Sequence, residues 1–351
     1  MAENKQNKRP NVPPLRFPEF TDEWIETSIG SVLSIGNGRD YKDLGHGDVP
    51  VFGTGGYMTS VNKCLLDGES VFIGRKGTIN KPFYFNGKFW TVDTLFYTHS
   101  FKGILPKFVL SIFENIDWLK YNEASGVPSL SKSSIEKIKI CIPKIIEQQK
   151  ISDFIDLLNH RIEFQSKLIE QLESLIKGII HRLTAQSPNV RIADCLDCYS
   201  SSLQENLLNE LGKCRVYGAN GVCGYTDSHA INSDAILIVK DGSGVGNVSF
   251  ATGEYSVIGT LNYLTSKSGY NLRYIYYCLM NFNFMPYKTG MAIPHIYFKD
   301  YGKAKIYCPA LEEQDRIANI LSKIERKIAI ERSISDHHIK QKQYLLQRLF
   351  I

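Results

Sequence analysis

The feature that most restricts what this chain can fold into is that one pattern occurs in it twice. Val51-Phe52-Gly53-Thr54-Gly55-Gly56 returns as Val216-Tyr217-Gly218-Ala219-Asn220-Gly221, and Ile73-Gly74-Arg75-Lys76-Gly77-Thr78 returns as Ile238-Val239-Lys240-Asp241-Gly242-Ser243. Thr94-Leu95 matches Thr260-Leu261, and Gly126-Val127-Pro128-Ser129-Leu130 matches Ala292-Ile293-Pro294-His295-Ile296 at the proline and the aliphatic residue beyond it. Cys141-Ile142-Pro143 aligns with Tyr307-Cys308-Pro309, Glu147-Gln148-Gln149-Lys150-Ile151 with Glu313-Gln314-Asp315-Arg316-Ile317, and Arg182-Leu183 with Arg348-Leu349. The offset stays at 165 to 166 residues. Solenoid repeats have periods of roughly 20 to 50 residues, so this spacing marks a duplicated domain. For 351 residues, and with domains of roughly 150 residues, two copies of one unit account for the chain.

Each copy has two parts. The first is rich in glycine, aromatic and β-branched residues. Glu69–Ile73, Pro82–Phe85 and Ala235–Val239 read as short strands, separated by glycine turns such as Asn86-Gly87 and Asp241-Gly242. Lys107–Leu119 and Leu272–Met280 carry helical periodicity. The expected globule is α/β in the mixed, α+β sense. The second part is a long helix. The scheme is a first globular domain at 1–144, a long helix at 145–186, a second globular domain at 187–310 and a second long helix at 311–351, the copies related by a pseudo-two-fold internal repeat.

Between Ile146 and Leu183 aliphatic residues fall at Ile151, Leu158, Leu172 and Ile179, and again at Ile155, Ile162, Ile169, Ile176 and Leu183, with Gln165 the polar member of the series. Spacings of four and three make this a coiled-coil seam. Glu147 and Asp153 near the start and Arg182 near the end suit the helix dipole, and Ser187-Pro188 stops the helix. Gly178 weakens it by about 1 kcal/mol relative to alanine. The second copy keeps Ile317, Leu321, Ile324, Ile328, Leu345 and Leu349, but puts Glu331, Ser335, His338 and Lys342 at the central seam equivalents. Its phase is expected to shift through Ile334. Paired antiparallel with midpoints aligned, the helices would set Gln165 against the layer of Glu331. A polar residue there fixes register at some cost in stability, so Gln165→Leu is expected to raise thermal stability. Helices of about 40 residues are about 60 Å long. The pair reads as a bar with a globule at each end, able to present two surfaces to major-groove faces that recur every 34 to 36 Å or so.

Composition adds little beyond exclusions. With 43% apolar and 22% charged residues, the chain is not disordered. Lys plus Arg total 41 against 36 acids, a mild excess that permits nucleic-acid binding without demonstrating it. No apolar run reaches the roughly 18 residues of a membrane span, and Met1–Pro10 is polar and basic without an apolar secretory core, so a cytoplasmic protein with no membrane partner is expected. Cys195-Leu-Asp-Cys198 has metal-ligand spacing, but Cys214 and Cys223 do not supply a second close pair, so the eight cysteines read as reduced thiols and no metal is expected. A nucleotide-binding P-loop is missing: Gly87-Lys88-Phe89 and Gly212-Lys213-Cys214 both fail its pattern. Asp241–Gly246 misses the spacing of a phosphate cradle because Asn247 stands where glycine should, and reads as a turn. Asn11-Val12-Pro13-Pro14-Leu15 is not the base-holding loop of an amino-methyltransferase.

Ile140-Cys141-Ile142-Pro143, then Glu147-Gln148-Gln149-Lys150-Ile151 and a long heptad helix, the whole arrangement stated twice, resembles the specificity subunit of type I restriction-modification systems. The stretch Leu15-Arg16-Phe17-Pro18-Glu19-Phe20-Thr21-Asp22-Glu23-Trp24 is similar to the start of many members. The resemblance covers nearly the whole chain. The second copy departs from it in lacking the Leu-Arg-Phe-Pro stretch, keeping a shorter lead-in from Val190. It implies two target recognition domains, each reading one half of a bipartite, asymmetric sequence in double-stranded DNA. It implies long helices that set the spacing and dock two methyltransferase (modification) subunits, with two restriction/translocase subunits completing the complex. It also implies that this subunit has no catalytic residues and no cofactor.

Base-reading residues should be polar groups on loops, with Arg and Lys suited to guanine and Asn and Gln to adenine. Arg75, Lys76, Thr78, Asn80 and Lys81 are the first candidates, on a loop whose glycine allows close approach. Their counterparts are Lys240, Ser243 and Asn247. The replacement of Lys76 by Asp241 implies that the two copies read different bases. Ser129, Ser131 and Lys132 in one copy, and His295, Tyr297 and Lys299 in the other, follow the aligned prolines and are second candidates. Two rival readings stand beside this one: an interaction scaffold with two protein- or glycan-binding lobes, and an intrinsic nuclease or methyltransferase.

Overall fold

The computed structural model describes residues 11–351; the polar stretch 1–10 lies outside them. The chain divides into two compact units. One holds the residues through Ser166 together with Ser333–Ile351, the other Lys167–Arg332. The sequence scheme sets each long helix apart as a segment of its own. The compact division instead falls inside both helices, because each half-helix buries its apolar stripe with the globule nearest to it.

The first unit contains β1 (Ile25–Ser28), α1 (Ile29–Val32), β2 (Ser34–Asn37), β3 (His46–Gly53), β4 (Gly56–Val61), β5 (Leu66–Gly74), β6 (Phe83–Thr91), β7 (Leu95–His99), α2 (Pro106–Asn115), α3 (Lys132–Lys137), β8 (Lys139–Ile142) and the first part of α4 (Ile145–Thr184). The second contains the rest of α4, then β9 (Val190–Arg191), α5 (Ile192–Cys195), β10 (Leu196–Ser200), β11 (Cys214–Gly218), β12 (Gly221–Thr226), β13 (Ile231–Asn232), β14 (Ala235–Val239), β15 (Val248–Ala251), β16 (Glu254–Val257), β17 (Leu261–Ser266), α6 (Leu272–Met280), α7 (Phe298–Tyr301), β18 (Lys305–Ile306) and the start of α8 (Leu311–Leu349). The remainder of α8 belongs to the first unit. Among the described residues no helix is long and apolar enough to cross a membrane.

The repeat is visible in the ladders. The first unit has a six-stranded sheet in the order β2-β7-β5-β6-β3-β4, and the second has two four-stranded sheets, β10-β17-β14-β15 and β12-β11-β16-β13. The parallel pair β3–β6 has its counterpart in the parallel pair β11–β16, and β1–β8 has its counterpart in β9–β18. The difference arises where β5 and β6 run unbroken: in the second unit the counterpart of β5 is split into β13 and β14, and that of β6 into β15 and β16. Gly253 (φ +77°) separates β15 from β16. Its equivalent Gly87 (φ +130°) lies inside the unbroken β6, opposite Gly68 (φ +142°). The expected turn at Asn86-Gly87 is therefore corrected to mid-strand: two glycines face each other across the ladder, and neither needs the chain to reverse. The helix expected over Lys107–Leu119 also ends early, at Asn115, followed by a short 3-10 turn from Trp118.

In the first core Trp24 packs edge-on to Phe108 and to Phe350, with ring centroids 6.1 and 6.0 Å away. Leu346 and Leu349 join the same cluster as Ile151 and Ile155, and Leu158 and Leu345 lie at its margin. In the second unit Ile176 and Ile180 are buried with Leu321 and Ile328, flanked by Ile169, Leu172, Leu183, Ile317 and Ile324. In both units the early part of one helix meets the late part of the other, so the helix halves run antiparallel. Glu331, Ser335 and His338 are buried while Ile334 is only partly so. The expected phase shift is corrected: turning Ile334 inward would carry Ile328 and Leu345 off the seam, and the seam keeps its polar residues instead. Ile162 shares a cavity with Ile339 and Lys342. Gln165 is itself buried, as a polar member of the seam.

The glutamine of each Glu-Gln motif fastens helix to globule. Gln148 is fully buried; its Oε1 accepts from Leu105 N at 2.9 Å and its Nε2 donates to the Gly103 and Pro143 carbonyls at 3.0 and 2.9 Å. Gln314 accepts from Asn271 N at 3.0 Å and donates to the Pro309 carbonyl at 2.8 Å. Glu147 receives Arg16 in a two-pronged ion pair, 2.7 Å on each prong, and Trp24 Nε1 at 3.2 Å. The guanidinium of Arg16 is held charged by this hydrogen bond, its pKa raised. The Leu-Arg-Phe-Pro stretch thus supplies the counter-ion for the helix start, and its absence from the second copy leaves Glu313 to pair within its own helix with Arg316, 2.8 Å away.

Candidate nucleic-acid interface

In both units the two candidate loops are joined by the same backbone bonds. In the first, Gly77 N donates to the Pro128 carbonyl at 2.8 Å, Leu130 N to Arg75 O at 2.9 Å, and Arg75 N to Thr94 O at 2.7 Å. In the second, Gly242 N donates to Pro294 O at 3.0 Å, Ile296 N to Lys240 O at 3.0 Å, and Lys240 N to Thr260 O at 2.9 Å. The positive φ of Gly77 (+86°) and Gly242 (+94°) is what turns each loop onto its proline neighbour. The repeated Gly, Thr and Pro of the sequence are therefore the fastening points of one device built twice.

In the first unit this brings Arg75, Lys76, Ser129, Ser131 and Lys132 around one cavity of about 300 Å³, which also takes in Asn37, Phe96 and Glu123. The Arg75 guanidinium lies 5.9 Å from the Phe96 ring centroid. Lys76 and Thr78 are exposed, and Lys132 reaches Glu136 at 3.6 Å. Ser131 is the N-cap of α3: its Oγ accepts from Ser134 N at 3.1 Å and donates to Glu123 at 2.7 Å. The Ser134 and Ser131 hydroxyls together hold the Glu123 carboxyl below its usual range. His99 is pushed down by burial and by the nearby Lys132. Asn80 and Lys81 lie elsewhere; they line a separate cavity with Glu114, Asn159 and Ile339.

In the second unit His295 Nδ1 is 2.7 Å from Asp241 Oδ1, and its ring lies near-parallel to that of Tyr297, centroids 6.5 Å apart. Lys299 Nζ stands 5.3 Å from the centroid of the Tyr297 ring. Lys240 Nζ meets Ser200 Oγ at 3.4 Å, beside the stacked pair Tyr199 and Tyr263. Ser243 and Asn247 are exposed on the turn that follows. The acid replacing a lysine is thus occupied by a histidine, and the His295–Tyr297 ring pair stands where the first unit carries Ser129 and Ser131. Sequence reading missed Asn37, Glu123 and Tyr199. Glu123 had a readable signal only through Ser131, a serine placed to cap a short polar helix. Among the described residues no group of three or more His, Cys, Asp or Glu side chains is arranged to hold a metal ion.

Cations, hydroxyls and amides on rigidly fastened loops suit phosphate oxygens and base edges. A family model described as the type I restriction modification DNA specificity domain matches residues 21–174 and again 189–337. The chain belongs to that family. An S subunit of a type I restriction-modification system from M. genitalium shares its fold over 97% of this chain and 99% of its own, with a TM-score of 0.74 at 16% identity. A structure described as the basis of complex assembly and conformational transition of the type I R-M system aligns over 96% and 99%, with a TM-score of 0.52 at 15% identity. The type I restriction enzyme EcoprrI specificity subunit of Escherichia coli is 26% identical over 109 residues, 31% of this chain. The match spans 27% of that relative's length. Two specificity domains thus coincide with the two fastened loop pairs, and the boundary between them falls at the end of α4.

Proposed function

We propose that this chain reads the target sequence for a type I restriction-modification complex, each fastened loop pair recognising one half of a bipartite DNA site. The chain itself is non-catalytic, and methyl transfer and cleavage belong to two methyltransferase and two restriction subunits. The observation that carries this reading is the loop device built twice from equivalent bonds but faced with different side chains, Lys76 against Asp241 and Ser129 against His295. Equivalent scaffolds with unlike faces suit two unlike half-sites. The long helices set the gap between the halves and dock the methyltransferases.

Mapping methylated adenine in the host with and without this gene tests it. One split motif, two unlike halves around a fixed gap, is expected to vanish with the gene. Removing one heptad from each helix shortens it by about 10 Å, and the gap is then expected to contract by about three base pairs, at 3.4 Å per pair. An unchanged methylome, with the methyltransferase active, overturns the proposal. So does methylation by the purified chain alone.

A further inference from the structure

Directly before the fastened proline, at the same place in both copies, stands a β-branched aliphatic residue that faces water: Val127 is 66% exposed and Ile293 is 60% exposed. Each is one residue from a carbonyl tied to the reading loop, Pro128 to Gly77 and Pro294 to Gly242. Each is therefore held beside the cations of that loop, Arg75 and Lys76 in one unit and Lys240 in the other. An aliphatic group gains nothing from a phosphate oxygen. In a duplex its favourable partner is apolar, and the apolar group displayed on a base edge in the major groove is the C5-methyl of thymine. Both side chains are compact, and more than half of each faces water. Compact apolar side chains of this kind suit contact with the thymine methyl.

We infer that Val127 and Ile293 each read a thymine through its C5-methyl, so that each half of the target contains at least one T·A pair recognised without a hydrogen bond at that group. The inference rests on the proposed reading of DNA by the two loop pairs. The polar residues already named set position and read donors and acceptors, and these two add discrimination between thymine and the other pyrimidine.

The test uses the full chain and a pool of random-sequence duplexes, from which bound molecules are selected and sequenced. The enriched duplex is then remade with uracil in place of thymine, which removes only the methyl. The unaltered chain is expected to bind the uracil form of either half-site about five- to tenfold more weakly. Ile293→Ala should bind thymine and uracil forms alike in one half and keep the preference in the other, with Val127→Ala giving the converse. Both positions are on the surface, and an unchanged melting temperature confirms that each variant is folded. Equal binding of thymine and uracil duplexes by the unaltered chain, or preferences that survive both substitutions, overturns the inference while leaving sequence reading intact. Failure of the unaltered chain to enrich any sequence overturns the reading of DNA itself, and this inference with it.

Discussion

Single residues show how much of this fold depends on groups that look interchangeable in the sequence. Gln148 and Gln149 are neighbours in one motif, yet Gln148 satisfies one backbone N–H and two carbonyls in a buried site, whereas Gln149 makes a surface bond to Asp153 at 2.8 Å. Leaving buried backbone groups unpaired costs about 1 to 3 kcal/mol each. Gln148→Ala is therefore expected to lower stability by about 3 kcal/mol in urea denaturation, and Gln149→Ala by less than about 0.5 kcal/mol. His99 supplies a pH dependence. Burial and Lys132 lower its pKa below 6.5, so the folded chain resists a proton that the unfolded chain accepts. Its contribution is complete above about pH 6.5 and is lost as the pH falls through and below that value. His99→Gln should flatten the fall in melting temperature between about pH 7 and 5. A fall as steep as in the unaltered chain would show that His99 does not titrate this way.

Among the elements, those whose signal is local were legible before the structure: the apolar run of β14, the periodicity of α6 and the heptads of α4. What was not legible depended on partners distant in sequence. Asn86-Gly87 carries the strongest short-range hairpin signal, and only its pairing with Gly68, across the ladder, shows that it continues a strand. Asn80 and Lys81 read as part of one basic loop with Arg75, but the helix segment around Ile339 draws them to another cavity. The loop pairs themselves were half visible: the matched Gly, Thr and Pro were found, while the bonds that make them one site were not. Gly178 also becomes interpretable. A Cβ placed on it would meet nothing within 4 Å, so no contact in the chain requires a glycine there. Gly178→Ala should stabilise by about 1 kcal/mol through helix propensity alone, read as a higher melting temperature. A loss of stability would mean that α4 bends at this point.

For the molecule as a whole, a net charge of +5 over 351 residues means that DNA affinity comes from local cations, and salt separates the contributors. Each phosphate contact adds about 0.9 to the slope of log affinity against log salt. Lys76→Ala is expected to lower that slope by about one, while Lys81→Ala, at the cavity beside the helices, should leave it unchanged in the same titration. A slope lowered equally by the two substitutions would show that both lysines contact the duplex. The compact units carry a further consequence, in the order of synthesis. All of Lys167–Arg332 leaves the ribosome before Ser333–Ile351, the segment whose Leu346, Leu349 and Phe350 complete the first core. The half of the protein made first is thus the last to close. Until the final helix arrives, the nascent chain displays Trp24 and Phe108 without the ring that covers them, and that interval is when its first lobe is most open to a chaperone or a protease.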